Sequence, residues 1–143
     1  MTISGEEVFR ILRHRYPNAR IFVLDELYEV PTRERVTEHY QKFQRSLKFN
    51  KLLRWTKSIW DCDDFAWAFK GGVNAHKAMK GDRLPLPIGW MIYEDQQAGW
   101  HSINDTIFAY QNGSMIREIE PQSNGGINNL SLAERKTATV VIM

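Results

Sequence analysis

Cysteine is almost absent from this chain. Cys62 stands alone among 143 residues, so no internal disulfide can form. No apolar run is long enough to span a bilayer. Repeats and low-complexity tracts are also missing. The opening residues, Met1 to Glu7, lack the basic stretch and apolar core of a signal peptide. These absences lead to the expectation of a cytoplasmic protein with no membrane association and one domain over residues 1–143. Net charge is small, at +2, but it is unevenly placed. Residues 33–57 hold eight Lys or Arg against Glu34 and Glu38. Such a segment is either a solvated helix face or a site for an anionic partner, such as nucleic acid or a phosphate ligand.

What is present divides in two. Ser4 and Glu7 fit a capping box ahead of a helix to Tyr16, with Val8, Ile11 and Leu12 on one face. Ile21–Leu24 is a short apolar run. Thr32 caps a second helix over about 33–47, whose stripe is Val36, Tyr40, Phe43 and Leu47. A third helix is predicted from Cys62 to about Lys80, with Gly71-Gly72 as a place for a break. His14 and His39, among charged neighbours, read as surface residues. The period then changes to two. Strands are predicted over 88–94, 100–110, 115–120 and 137–142, with a hairpin turn on Asn112-Gly113. Residues 1–57 form a helical, basic N-terminal part and 58–143 the functional core. Helices first and an antiparallel sheet afterwards give an α+β fold, with the Cys-bearing helix packed on the C-terminal sheet.

The chemistry concentrates in Trp60-Asp61-Cys62-Asp63-Asp64-Phe65-Ala66. A thiol at a helix start faces unpaired N–H groups and the positive end of the helix dipole, which favour the thiolate. Asp61, Asp63 and Asp64 oppose it, and a bound cation would offset them. Asp63 and Asp64 offer the oxygen ligands that calcium prefers. A histidine base must come from elsewhere. His76 lies fourteen positions along the same helix, about 21 Å away at ~1.5 Å per residue. His101, opening a strand, is the candidate, and Glu120 is the carboxylate that would orient it. A turn on Asn112-Gly113 would set Glu120 opposite Asp105, four residues from His101, which is about 13 Å at strand rise. A bulge near Asn104-Asp105 is one way to close that gap.

The stretch around Cys62, the downstream His101 and Glu120-Pro121-Gln122 resemble the papain-like and transglutaminase-like superfamily. Transglutaminase-like members carry Asp-Pro where this chain has Glu120-Pro121. The likeness is strongest to the calcium-dependent cysteine protease domain at the C-terminus of mushroom agglutinins, over roughly Trp60 to Gln122. It implies a papain-like fold, with Cys62 as nucleophile, His101 as base, Glu120 as orienter and calcium activation near Asp63 and Asp64. Gln44 and Trp55 are candidates for the oxyanion-hole side chain, and Trp67, Trp90 and Trp100 for the cleft walls. The expected activity is a thiol hydrolase acting on peptides or isopeptides, with a peptide or protein as substrate. The alternative is a non-catalytic papain-like binding or inhibitor module that holds a ligand or partner in the cleft.

Overall fold

The computed structural model describes residues 1–54, 56–57, 59–97, 99–111, 113–122 and 125–143. The chain begins with a short strand, β1 (Thr2–Ser4), and turns into helix α1 (Gly5–Arg15). Ser4 is the cap, its Oγ accepting from the Glu7 N–H at 3.2 Å. Strands β2 (Arg20–Phe22) and β3 (Leu27–Glu29) follow, then α2 (Arg33–Phe49), capped by Thr32. Helix α3 (Cys62–Met79) runs through Gly71-Gly72 unbroken. Strands β4 (Ile88–Asp95), β5 (Gly99–Tyr110), β6 (Gly113–Glu120) and β7 (Gly126–Asn128) lead to α4 (Leu132–Thr137) and β8 (Val140–Ile142).

Six strands form one sheet in the order β2-β8-β4-β5-β6-β7, and β1 pairs with β3 in a separate ribbon. The strand alternation sorts two cores. Met91, Tyr93, Ile103 and Ile107 pack with Val8 and Leu12 of α1 on one face. Ile88, Phe108 and Ile119 meet Val36 of α2 and Phe69 and Val73 of α3 on the other. The architecture is thus α+β, with helices on both faces of a sheet.

Several sequence expectations are corrected. The sheet is mixed rather than antiparallel, because β2 pairs parallel with β8. The strand predicted over 137–142 is cut to 140–142. Ser131 and Glu134 form a reciprocal capping box that starts α4 instead. The N-terminal part is not only helical: β2 falls on the apolar run at 21–24, read as a possible strand, and β1 and β3 add two strands that the sequence did not mark. His39 is buried, at 8% exposure, rather than on the surface. It lies three residues after Val36 and so shares that residue's inward stripe.

The correction that matters for the site concerns register. Tyr110 pairs with Gly113, leaving positions 111 and 112 between the strands. The expected Asn112-Gly113 turn is therefore displaced by one residue, and Asn112 itself lies outside the described residues. Gln111 takes a positive φ of 48°, the backbone conformation such tight links require. The displacement sets Asn104 opposite Ile119, so Glu120 comes beside Ile103 rather than Asp105. Pairing along β5 is continuous on both sides, with no bulge at Asn104-Asp105.

Candidate functional site

Helix α3 delivers Cys62 as its first residue, half-buried and unoxidised. Asp61 is the cap residue, and the Asp64 carboxylate accepts from the Asp61 backbone N–H at 3.2 Å. Asp64 is thereby turned to the helix end, while Asp61 and Asp63 stay beside the thiol. Donor atoms of Asp61, Cys62 and Asp63 lie within 4.8 Å of one another. A hydrogen bond with Asp61, then burial and the Asp61 charge, hold the Asp63 carboxyl above its usual range. The acidic group closest to Cys62 is therefore Asp61 with Asp63, whereas the sequence pairs Asp63 with Asp64 as metal ligands.

Asn104 ties this helix to the sheet. Its side-chain amide donates to Ala66 O at 2.9 Å and to Gly89 O at 2.7 Å, and the residue is fully buried. That anchor lies one helical turn beyond Cys62 and three strand residues beyond His101. It brings the helix start level with the start of β5.

His101 Nε2 and Glu120 Oε2 are 2.6 Å apart, with side chains only 16% and 20% exposed. The register explains the contact: Glu120 is two positions from His101 along β5 and on the same face, within diagonal reach. Burial disfavours the charged imidazole. Hydrogen bonds to Cys62 and Glu120, reinforced by their charges, outweigh it and push His101 up to about 9. With Nε2 taken by Glu120, Nδ1 is the nitrogen left for Cys62. Tyr93, paired with His101 across the hairpin, meets the ring edge-on at 5.8 Å. Glu120 Oε1 also accepts from the Gln122 N–H at 3.0 Å. Cys62, His101 and Glu120 therefore form one hydrogen-bonded row.

The remaining candidates are dispersed. Gln44 donates to Pro121 O at 2.6 Å, so its amide braces the loop behind Glu120. Trp55 lies outside the described residues. Trp67 and Trp90 stack at 5.1 Å, 21° from parallel. Trp100 is 62% exposed and Trp67 45% exposed. Trp90 and Trp100 point to the same side of the sheet, opposite to His101, because all three alternate along paired strands. Asn104, Tyr93 and the bracing role of Gln44 escape a reading by sequence, since each depends on the register of strands far apart in the chain.

No family model matches this chain, and no curated protein does. Solved structures do share its fold. A structure described as the PSL1a–E64 complex superposes with a TM-score of 0.75 at 23% identity, over 99% of this chain and 50% of that one. Polyporus squamosus lectin bound to the human-type influenza-binding epitope Neu5Aca2-6Galb1-4GlcNAc superposes with a TM-score of 0.71 at 25% identity, over 99% of this chain and 49% of that one. The chain spans about half the length of these structures. The likeness corrects the functional expectation. The neighbours are lectins, so the reading as a cysteine-dependent hydrolase or thiol protease with a peptide or protein substrate is withdrawn, and the fold shared here is that of these lectin chains.

Proposed function

We propose that this chain is a ligand-binding module of a lectin-type protein, with a carbohydrate or glycoconjugate as its ligand. The start of α3 and the start of β5 bring Cys62, His101 and Glu120 together, and the proposed binding site is centred on these three residues. The observation that carries this reading is the paired acid–imidazole–thiol row, in a fold shared with a lectin solved in complex with a sialylated glycan. Glu120 fixes the ring of His101 and its charge. His101 keeps its proton at neutral pH, so Cys62 faces an imidazolium. The row offers a cation, a carboxylate and a sulfur to a ligand rich in hydroxyls.

Calcium belongs to the proposal through Asp61 and Asp63. Their ligand atoms lie within 4.8 Å of one another and of the Cys62 sulfur, a spacing that a cation could bridge. Two carboxylates anchor a calcium ion whose other ligands are water. Bound there, the ion would supply positive charge beside Cys62. Asp64, committed to the cap, is left out of the set.

The test combines binding with protection. The trisaccharide Neu5Aca2-6Galb1-4GlcNAc is titrated calorimetrically into the protein, with calcium and with a chelator. In parallel, iodoacetamide alkylates Cys62, the sulfur–carbon bond forming as iodide leaves. Binding that slows alkylation supports the proposal. Binding without protection removes the ligand from this cleft, and no binding in either buffer overturns the carbohydrate reading. Alkylation rates equal with calcium and with chelator would remove calcium from the site.

A further inference from the structure

A cavity of about 280 Å³ lies between α2 and α3, lined by residues away from Cys62. Its walls are apolar, with Phe43 from α2 and Phe69 and Val73 from α3. Its polar groups are all basic or neutral: His39, Lys42, Ser46 and His76 line it, and no carboxylate does among the described residues.

Three features of the cavity point to a ligand. His76 Nε2 is buried and has no hydrogen-bond partner among the described residues. A buried polar nitrogen without a partner loses its hydration for nothing in return. His39 is buried, at 8% exposure, and its ring meets that of His76 edge-on at 5.9 Å. Burial, then the charges of Arg35, Lys42, His76 and Lys77, push His39 down to about 4. The neighbouring charges on the cavity side are all positive and add to the effect of burial. Arg35 and Lys77 each pair with Glu29 and Asp82, so Lys42 is the cation of that group whose charge is not matched in the described structure.

The third observation is Gly72. Glycine in mid-helix weakens α3 relative to alanine, yet a Cβ built here meets nothing within 4 Å. Crowding therefore does not demand glycine at 72. The residue lines the cavity, and any longer side chain would reach into it.

We propose that the α2–α3 cavity binds a small, flat apolar molecule bearing one carboxylate, its ring against Phe43, Phe69 and Val73 and its carboxylate against Lys42, His39 and His76. The class is that of arylacetic acids. Charge complementarity sets the sign of the head group, and the cavity volume, at the lower end of small-molecule sites, limits the body to one or two fused rings.

The probe is 2-naphthylacetate, with 2-naphthylacetamide as its uncharged counterpart. Both are titrated into the full chain by calorimetry, and the His39 and His76 ring protons are followed by NMR. The acid should bind with a Kd on the order of 1 mM or tighter, as its atom count allows, and should move both histidine signals. The amide should bind about tenfold or more weakly, having no charge to offer Lys42. Gly72→Leu should abolish binding by filling the cavity, with helicity retained. Lys42→Met, on the cavity rim, should weaken the acid and leave the amide unchanged. Equal affinity for acid and amide overturns the proposal. So does binding that survives Gly72→Leu, or an absence of binding by the acid. Alkylation of Cys62 should be insensitive to the probe; protection of Cys62 would place the acid in the other cleft and overturn this site.

Discussion

Replacing Glu120 with Gln should lower the titration point of His101 and make stability depend less on pH. His101 stands at about 9 against an ordinary 6.5. Burial pulls it down, and two partners hold it up: Cys62 and Glu120. The amide keeps the shape of Glu120 and its 2.6 Å approach, but not its charge. A hydrogen bond between charged groups contributes about 1.5–3 kcal/mol, and one pH unit corresponds to ~1.36 kcal/mol. His101 should therefore fall by about one to two pH units, to roughly 7–8. The side chains retain some solvent, at 16% and 20% exposure, so the lower half of that range applies. Because the folded value is raised, the imidazolium stabilises the fold fully below pH 6.5, and the contribution is lost as pH rises through about 9. Urea denaturation should thus show the variant less stable by about 1–2 kcal/mol at pH 6, with the difference closing by pH 10. The direct assay is an NMR titration of the His101 ring. An unchanged midpoint near 9 in Glu120→Gln, or a stability difference that does not vary with pH, would refute the reasoning.

Asp105 is fully buried between Gly89 and Glu118, and both its oxygens are without hydrogen-bond partners among the described residues. Burial, then the Glu118 charge, push it up to about 7 from 3.8, so the neutral form is favoured in the fold. That stabilisation is complete below about pH 3.8 and lost as pH rises through about 7. Asp105→Asn should then gain about 1–3 kcal/mol over the wild type near pH 8.5, the gain shrinking as pH falls towards 3.8, read by urea denaturation. Glu118→Gln should destabilise by about 3–5 kcal/mol, measured the same way, because it leaves the guanidinium of Arg15 without its buried counter-charge. Arg15 Nε and Nη2 reach Glu118 Oε1 at 3.0 and 2.8 Å, and the Tyr16 hydroxyl donates to the same oxygen at 2.8 Å.

The helices were legible because their signals are local. A cap residue and an apolar stripe are fixed by neighbours three and four positions away. Ser4, Thr32 and the start at Cys62 all appear where the side-chain pattern puts them. The histidine and the carboxylate were chosen for the same reason: His76 is excluded by helix length alone, and strand parity puts Glu120 and His101 on one face. Short elements that pair over long distances were not legible. Nothing near Gly126–Asn128 marks β7, and the parallel match of β2 with β8 joins segments over a hundred residues apart.

The amino-acid sequence by itself supplied the groups in question: a single thiol, three carboxylates beside it, one histidine favoured as its partner and a glutamate of matching parity. The tertiary structure decided whether they meet. A one-residue displacement of the β5–β6 turn moved Glu120 two positions along β5, into contact with His101. It also chose Asp61 over Asp64 as the neighbour of Cys62 and Asp63, and turned His39 inward to the α2–α3 cavity. The physical reason is common to all three. Register and cap geometry depend on how backbone hydrogen bonds and buried side chains are satisfied across the whole fold, and no local pattern encodes that balance.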